Sequence, residues 1–423
     1  MSVFVKTRSD IFSGPFKKLN YNDEPKISIY SITIKTKEPF FAKNFTLGCG
    51  GGAFETENAL LKALGESIER YSLGVYKPKI FTSKSYGNMA QDKYIFPIER
   101  VLETLSYPPK QKQFFKPTEK ERIKWTHSVE ITSGKKVLVP AQLVYLPYVF
   151  NKEKIIRLPN SSGAAIHNTK KKATISAIYE LVERDAFLLS YFLKDKITLI
   201  DIKKSTKDLE SVQKYLEMYK LELYIVFTLT DMPLYTIASI VVDKTGVGPS
   251  ISVGLRAGID LEKTILGAIE EAQYGRVGVR DFYSQQDKVI ASPKPYQLDS
   301  LNNRALFWYP LNRIRKINFL LTKKKTPYSK VRKNYNYEKN KKKEYAHVVG
   351  FLKKIGYKAF MIDITPKEVA KIGLSAVRVI MPDLQWLYLE ESYKTLNNKR
   401  INKFKKEAQN KQQKLNDFPH PFL

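Results

Sequence analysis

Apolar and polar positions alternate between residues 125 and 148, with β-branched side chains on both sides of a short polar turn. The turn is Ser133-Gly134, and the apolar run after it ends at Pro140. This pattern predicts a β-hairpin, because a period of two places alternate side chains on one face of a strand. Residues 221–243 have the same character and predict another strand region.

The last predicted unit begins with the apolar run 359–362, which is typical of a buried strand. Thr365, Pro366 and Glu368 then predict the start of a helix, with threonine as the cap, proline at the first helical position and glutamate reaching back. A further apolar run, 376–381, predicts the strand that completes a βαβ-like unit. Strands and helices therefore alternate, and the sequence predicts a mixed α/β fold.

An internal repeat is the most informative feature of the sequence. Residues 63–70 and 177–184 share the pattern Ala-apolar-x-Glu-x-apolar-Glu-Arg, and a degenerate third copy, Ala-Ile-Glu-Glu, occupies residues 268–271. The first two copies follow glycine-containing stretches, 48–52 and 160–163, and each stretch is expected to be a loop that leads into a helix.

Each full copy presents two glutamates and one arginine on one helix face, because residues three and four positions apart are neighbours there. These residues are Glu66, Glu69 and Arg70 in the first copy and Glu180, Glu183 and Arg184 in the second. A single helix of this kind is usually explained by ordinary surface Glu/Arg pairs. The repetition favours a second interpretation, in which divalent cations separate carboxylates that would otherwise repel each other.

Carboxylates without histidine or cysteine partners favour Mg²⁺, and protein-bound Mg²⁺ usually has phosphate oxygens in its coordination shell. The sequence contains no Gly-x-x-x-x-Gly-Lys-Ser/Thr motif, so a P-loop nucleotide site is not expected. The residues alone therefore predict a nucleotide held by carboxylate-bound metal ions and arginines.

The composition indicates a globular protein, and no long Pro/Gly/Ser linker divides it, so we expect one domain over residues 1–423. No apolar stretch approaches the roughly 20 residues of a membrane span, and residues 1–10 lack the apolar core of a signal peptide. Cys49 is the single cysteine, which excludes disulfides within the chain and multi-cysteine metal sites. We therefore expect a cytoplasmic location.

The formal net charge is +30, and the isoelectric point is near 9.7. Much of the excess lies in residues 313–343, which lack a core pattern and are expected to form an exposed basic insertion or loop. The lysines of this segment include Lys323, Lys324, Lys325, Lys339, Lys341, Lys342 and Lys343. A solvated surface is the simpler explanation, and contact with a polyanion or an acidic peptide is the alternative. No zinc-finger or RNA-binding signature is present, so nucleic acid is not an expected partner.

These motifs, in this order along the chain, resemble the YcaO family. The similar stretches are residues 8–14, 48–71, 139–141, 160–187 and 254–276. The resemblance implies a single YcaO-like domain in which glutamate-rich helices surround a central site for ATP and Mg²⁺. The implied metal ligands are Glu66, Glu69, Glu180, Glu183 and Glu271. The implied nucleotide contacts are Arg184, Arg276, Arg70, Ser13 and again Glu271.

Residues 363–365 and 378–385 are similar to segments of the azoline-forming branch of this family, and so is the proline-containing tail, 416–423. The branch places such a tail near its active site, although some members have three alternating prolines where this chain has two. The implied catalytic residues are Pro419, His420, Pro421 and Leu423, with His420 or the Leu423 carboxylate as general base. Without the resemblance, a frayed terminus would be the simpler expectation.

The implied activity is an ATP-dependent cyclodehydratase acting on a ribosomal precursor peptide. A Cys, Ser or Thr side chain of the peptide attacks the preceding amide, the amide oxygen takes the γ-phosphoryl group of ATP, and loss of phosphate leaves an azoline ring. The alternatives are a YcaO enzyme that forms thioamides or macrocyclic amidines and a non-catalytic basic scaffold protein. The expected partners are the precursor peptide and a separate leader-binding or E1-like protein, with a dehydrogenase of the same pathway and a second copy of the chain as further candidates; a membrane is not expected.

Overall fold

The computed structural model describes residues 1–36, 45–76, 81–90, 95–104, 118–150, 152–285, 293–335, 337, 343–394, 396, 398–407 and 414–423. Within them lie three β-sheets and the helices that pack on these sheets. None of the helices in this part of the chain is long and apolar enough to cross a membrane.

The first sheet is antiparallel and consists of β1 Phe12–Lys18, β2 Ser28–Thr36 and β3 Phe45–Ala53, with β2 in the middle. The next strands along the chain are β4 Thr82–Ser85, β5 Arg122–Glu130, β6 Lys136–Pro140, β7 Ala164–His167, β8 Thr198–Asp201, β9 Leu221–Phe227, β10 Tyr235–Asp243, β11 Ile251–Gly258, β12 Lys325–Pro327, β13 Phe360–Asp363 and β14 Ser375–Ile380. The second sheet has the order β11-β10-β9-β8-β12, and the third has the order β4-β5-β13-β14-β7, with β6 paired to β5.

The α-helices of the described residues are α1 Ser2–Thr7, α2 Thr56–Gly74, α3 Tyr86–Ala90, α4 Ile98–Thr104, α5 Lys170–Leu193, α6 Lys207–Met218, α7 Leu261–Ser284, α8 Leu301–Trp308, α9 Asn318–Leu321, α10 Tyr328–Tyr335, α11 Glu344–Ile355, α12 Lys367–Lys371 and α13 Lys399–Glu407. Short 3₁₀ helices occupy Ala141–Leu143, Pro295–Gln297, Leu311–Ile317 and Glu391–Tyr393. The longest helices, α5 and α7, begin with N-cap side chains, since Thr169 accepts from the Lys172 N–H and Asp260 accepts from the Lys263 N–H.

Helix α5 lies between two sheets and organises the centre of the molecule. It contacts β7 and β14 of the third sheet and β10 and β11 of the second, while α2 packs on β2 and β3 and α7 packs on β3, β10 and β11. Every residue of β10 is buried, as expected for a strand covered on both faces. The repeat helices α2, α5 and α7 are therefore held side by side through the strands they share. The mixed α/β prediction is confirmed by this architecture.

The structure confirms the predicted hairpin, because β5 pairs with β6 in antiparallel register around the turn that contains Gly134. The region 221–243 forms the antiparallel pair β9 and β10. The prediction of a βαβ-like unit after residue 359 is wrong, because such a unit has parallel strands whereas β13 and β14 pair antiparallel. Thr365 is not a helix cap: Pro366 holds that position, and the Thr365 hydroxyl instead bonds to Asp363 Oδ1 and the Ala376 carbonyl.

The glycine-rich stretch 48–52 was expected to be a loop, but it belongs to strand β3. Its glycines have a packing reason. A Cβ at Gly51 would lie 2.5 Å from the Ala63 nitrogen and 2.6 Å from the Ala59 carbonyl oxygen, so only glycine lets α2 approach the strand this closely. The second stretch, 160–163, is irregular as predicted, and it leads into β7 before α5 begins.

The basic segment 313–343 forms more regular structure than its composition predicts. Strand β12 pairs parallel to β8 at an edge of the second sheet, and Ile317, Leu320 and Val331 are buried. The prediction of a loop is therefore wrong for these residues, because a few apolar side chains suffice to anchor the segment. Its lysines at 323, 324, 325 and 343 are exposed, whereas Lys339, Lys341 and Lys342 lie outside the described residues.

Candidate functional site

The first glutamate of each repeat copy makes the same hydrogen bond. Glu66 Oε2 accepts from the Gly50 N–H at 2.8 Å, and Glu180 Oε2 accepts from the Gly163 N–H at 2.6 Å. Glu271 Oε2 accepts from the Leu255 N–H at 2.7 Å. Each carboxylate thus reaches back from a helix to a residue in or directly before the preceding strand. Glu271, three positions after Ala268, is the equivalent of Glu66 and Glu180. The degenerate third copy is a structural repeat of the first two.

Arginines hold the carboxylates of the two full copies in ion pairs. Arg70 Nη2 lies 3.3 Å from Glu66 Oε1, and its Nη1 bonds to Glu69. Arg184 Nη2 lies 2.9 Å from Glu180 Oε1, and its Nη1 lies 3.2 Å from Glu183 Oε1. Glu183 Oε2 also accepts from the Ala257 N–H at 3.1 Å, which ties α5 to strand β11.

These side chains line one cavity of about 470 Å³ between the three repeat helices. The charged residues on its wall are Glu66, Glu69, Glu180, Glu183, Glu271, Arg70, Arg184, Lys62 and Arg256. A second cavity of about 360 Å³ shares part of this wall and is bounded on another side by Pro421, Phe422 and Leu423 of the tail. The side chains shared by both cavities are Glu66, Arg70, Arg184, Glu271 and Tyr274.

Burial and mutual repulsion disfavour ionisation of the glutamates. Burial raises the pKa of Glu69 to about 8, and the nearby Glu180 and Glu66 contribute to this shift. Burial likewise raises the pKa of Glu183 to about 8, with Glu271 and Glu180 as contributing neighbours. The pKa of Glu271 is also raised, chiefly by burial. When fully ionised, the five glutamates of the wall would outnumber its three arginines and Lys62, and a bound cation would stabilise that ionised form.

The donor set fits Mg²⁺ with a phosphate ligand better than a metal cage built from protein alone. All candidate ligands are carboxylate oxygens, which are hard donors. Within the described ranges, no group of three or more His, Cys, Asp or Glu side chains converges on a single ion position. Mg²⁺ commonly takes one or two carboxylates and completes its shell with water and substrate phosphates, and the dispersed glutamates match that pattern.

A comparison with protein families identifies the family of this chain. The sequence profile described as YcaO cyclodehydratase, ATP- and Mg²⁺-binding, matches residues 50–385. The chain belongs to the YcaO family. The predicted family is confirmed, and the prediction of ATP and Mg²⁺ as cofactors is confirmed at the level of the family.

Solved structures agree with the YcaO fold. A heterocyclase in complex with substrate and cofactor superposes with a TM-score of 0.76 at 17% identity, covering 99% of this chain and 57% of that one. YcaO from Methanopyrus kandleri, bound with AMPPCP and Mg²⁺, gives 0.62 at 16% identity over 90% of this chain and 88% of its own. The E. coli microcin synthetase McbBCD complex gives 0.60 at 14% identity over 96% of both chains.

A curated relative, an uncharacterised protein of Methanothermobacter thermautotrophicus, is 25% identical over 163 residues. That match covers 37% of this chain and 42% of the relative. The chain therefore spans about half the length of this relative and of the heterocyclase solved with substrate and cofactor.

Arg276 was predicted to contact the nucleotide, but it lines neither the glutamate-lined cavity nor the cavity that the tail bounds. Its Nε and Nη2 bond to Glu24 at 2.7 and 2.9 Å, Nη2 also bonds to Asp243 at 2.6 Å, and Nη1 bonds to the Pro249 carbonyl at 2.7 Å. The side chain is buried, and its donors are engaged by these partners. This geometry contradicts the predicted contact and indicates a structural cross-link between α7 and two loops.

Ser13 lies on β1 opposite Thr33 and does not line either of the two cavities. The N-terminal nucleotide contact therefore stays a prediction without support from this geometry.

The tail is docked, which rules out the frayed alternative. The Tyr191 hydroxyl donates to the Pro419 carbonyl at 2.8 Å, and Arg304 and Trp308 donate to the His420 carbonyl at 2.9 and 3.1 Å. The His420 ring is fully buried, with Nε2 2.9 Å from the Tyr388 carbonyl oxygen, and burial holds its pKa well below the ordinary value. His420 is absent from the wall of the tail-bounded cavity, so its predicted part as general base is not supported.

Three side chains near the YcaO site were not predicted. Lys62 donates to Glu270 Oε2 at 2.6 Å and lines the main cavity. Tyr274 occupies the position in the third copy that corresponds to Glu69 and Glu183, and extending the repeat alignment by three residues would have found it. Arg378 is buried beside the glutamates, and its place in strand β14, far along the sequence, gave no such signal.

Proposed function

We propose that this YcaO protein is an ATP-dependent cyclodehydratase that converts Cys, Ser or Thr residues of a ribosomal precursor peptide into azolines. One observation carries the proposal. The wall formed by Glu66, Arg70, Arg184 and Glu271 is shared between the glutamate-lined cavity and the cavity that the tail bounds. Such a shared wall suits a reaction in which a phosphoryl group passes from a nucleotide on one side to a peptide amide on the other.

The glutamates of the three repeats are the proposed holders of Mg²⁺, and Arg70 and Arg184 are the proposed phosphate contacts. Bound Mg²⁺ would neutralise charge on the phosphoryl oxygens. The backbone amides of Gly50, Gly163 and Leu255 fix one oxygen of each glutamate, which orients the other oxygen without loss of side-chain entropy on binding. The arginines then gain phosphate oxygens as partners when cations take over the carboxylates.

The tail is proposed to place the peptide rather than the nucleotide. Pro421, Phe422 and Leu423 line the cavity, whereas Pro419 and His420 anchor the tail in the core. Of the two candidate bases, the Leu423 carboxylate is therefore preferred to the buried His420 ring. A carboxylate at this position could accept the proton that the attacking peptide group loses.

The proposed substrate and partners are inferred from similar solved structures. The matched heterocyclase was solved with substrate, and the microcin synthetase was solved as a multi-protein complex. By analogy we propose a precursor peptide as the substrate and a separate leader-binding or E1-like protein as the partner. A dehydrogenase and self-association remain further candidates. We also propose a reducing, cytoplasmic setting, which the single cysteine supports.

The test is reconstitution with a Cys/Ser/Thr-rich precursor peptide and a candidate leader-binding protein. If azolines form, mass spectrometry should show the loss of one water mass per ring, and ADP and phosphate should be released. Replacement of an amide oxygen by sulfur would instead indicate a thioamide, and a cross-linked peptide would indicate an amidine. A protein that neither modifies peptide nor releases ADP would match the scaffold alternative.

A further inference from the structure

Arg378 is a buried arginine, and two of its three guanidinium nitrogens have no hydrogen-bond partner in the part of the chain that the structure describes. It lies on β14 opposite Ala164 and is 5% exposed. Its Nε and Nη1 atoms have no hydrogen-bond partner among the residues that the structure describes. Arg276 and Arg400 are buried to the same degree, yet each is bonded to two carboxylate side chains. Buried donors without partners are costly and rare, so Arg378 requires an explanation that the other two do not.

Arg184 shares this property at one atom. Its Nη1 and Nη2 are paired with glutamates, but its buried Nε has no partner in the described part of the chain. Arg184 and Arg378 line the same small cavity of about 20 Å³, together with Asn160 and Ser162. This volume is about the size of one water molecule or one oxygen atom of a larger group. Arg184, Asn160 and Ser162 also line the tail-bounded cavity, so the small cavity adjoins the proposed site of reaction.

The charged groups around Arg378 explain why it is not simply another ion pair. Glu180 and Glu69 face it and favour its charged form, whereas Arg70 and Arg184 disfavour that form. Burial lowers the pKa of Arg378 to about 10, so the guanidinium is still protonated at neutral pH. Three like-charged guanidinium groups therefore border one small cavity, those of Arg157, Arg184 and Arg378. Arg157 donates to the Leu387 carbonyl. An anionic oxygen would stabilise this arrangement more than a neutral water would.

We propose that Nε of Arg184 and Nε and Nη1 of Arg378 form a binding pocket for one anionic oxygen of the reacting group. The oxygen belongs either to the phosphoryl group of ATP or to the attacked peptide amide, where negative charge develops. Arg378 makes no covalent bond in this role and only donates hydrogen bonds to developing charge. The inference rests on the proposed function and adds a residue to it.

The test compares Arg378→Met and Arg378→Lys with Arg122→Met, which removes an exposed arginine from strand β5 of the same sheet. We expect Arg378→Met to unfold at the wild-type temperature or above, because it removes an unpaired buried charge. We also expect its kcat for peptide cyclisation to fall at least about tenfold, as for loss of an oxyanion donor. Arg378→Lys should recover part of the rate, and Arg122→Met should match wild type.

Two further measurements identify the oxygen. If it is a phosphoryl oxygen, Arg378→Met also lowers ADP release without peptide and weakens product inhibition by inorganic phosphate. If it is the amide oxygen, only the peptide-dependent kcat falls, and phosphate inhibition is unchanged.

A cyclisation rate within about twofold of wild type in Arg378→Met would overturn the pocket, since oxyanion donors contribute far more than that. A lower unfolding temperature with equal loss of activity in the Met and Lys variants would also overturn it, in favour of a structural role. Failure of the proposed function is distinct from both, because the wild-type protein itself would then release no ADP and modify no peptide.

Discussion

The guanidinium carbon of Arg184 lies 5.6 Å from the ring centroid of Phe422. This contact joins the tail to the arginine that holds Glu180 and Glu183, so the two ends of the proposed reaction site are in physical contact. Phe422 is 2% exposed and also packs against Phe187 of α5. The tail therefore contacts the proposed phosphate-binding side of the site as well as the proposed peptide side.

Phe422→Leu keeps an apolar side chain but removes the aromatic face that Arg184 contacts. A cation–π contact of this kind contributes about 1 kcal/mol, so we expect roughly a fivefold loss of cyclisation rate, with part of the effect in KM for ATP. Steady-state kinetics with each substrate varied in turn measures both. An unchanged KM for ATP together with an unchanged cyclisation rate would show that the contact between Phe422 and Arg184 has no part in the reaction.

Extension of the chain by a few residues after Leu423 is a cleaner test of the tail than its deletion. Deletion of residues 419–423 removes hydrogen bonds to Tyr191, Arg304 and Trp308, each contributing about 1 kcal/mol, and would lower stability as well as activity. We expect the extended protein to bind ATP normally and to cyclise peptide poorly. Cyclisation at the wild-type rate would show that the position of the Leu423 carboxylate is irrelevant to catalysis.

The stability of the metal-free protein should fall as pH rises. The folded-state pKa of Glu69 and of Glu183, about 8, lies above the ordinary value of 4.5. The folded state then holds protons that the unfolded state has lost, so this stability is fully present below about pH 4.5 and is lost as pH rises through about 8. Mg²⁺ binds the ionised carboxylates and should oppose the loss.

Thermal unfolding between about pH 6 and pH 8.5 measures this effect, with and without Mg²⁺. The Mg²⁺-dependent rise in unfolding temperature should increase with pH, and Glu69→Gln should flatten the dependence. A Mg²⁺ effect that is the same at every pH would contradict the assignment of these carboxylates.

Arg276→Met separates the structural arginine from Arg70 and Arg184, the proposed phosphate contacts. Asp243 would lose its ion pair, and Glu24 would keep only the one with Arg280, so we expect the free energy of unfolding to fall by about 3 kcal/mol. The folded fraction should keep its KM for ATP. Denaturant unfolding and ATP kinetics on the same preparation test both parts, and a raised KM with normal stability would return Arg276 to the nucleotide site.

The exposed lysines at 323, 324 and 325 should be separable from chemistry. Their joint replacement by glutamine is expected to leave ATP hydrolysis within about twofold of wild type, because exposed charges contribute little to a distant, screened site. Any weakening of partner or peptide binding should disappear at high salt. A large loss of basal ATP hydrolysis would show that this edge of the second sheet supports the active site directly.

Local spacing predicted the parts of the site that a helix alone determines. Glu66, Glu69 and Arg70 share a face because helical periodicity is a property of neighbouring residues. The position of Arg276 could not be predicted in this way, since its partners Glu24 and Asp243 are far away in sequence. The direction in which two strands pair cannot be predicted from local spacing either.

The apolar runs before and after Thr365 were recognised as strands, but their antiparallel pairing depends on the rest of the third sheet. Arg378 illustrates the limit most clearly. Its sequence context marks a buried strand, while its proximity to Glu69 and Glu180 exists only after β14 is placed beside β7.

The most direct test of the account is titration calorimetry of a non-hydrolysable ATP analogue with Mg²⁺ against wild-type protein, Glu180→Gln and Glu57→Gln. Glu57 is an exposed residue at the start of repeat helix α2 and serves as the matched control. Glu180→Gln should bind at least about tenfold more weakly with an unchanged unfolding temperature, because a metal ligand loses its charge with little change of shape. Glu57→Gln should bind as wild type does. Binding by Glu180→Gln within about twofold of wild type would contradict the claim that the repeated glutamates hold Mg²⁺ and ATP.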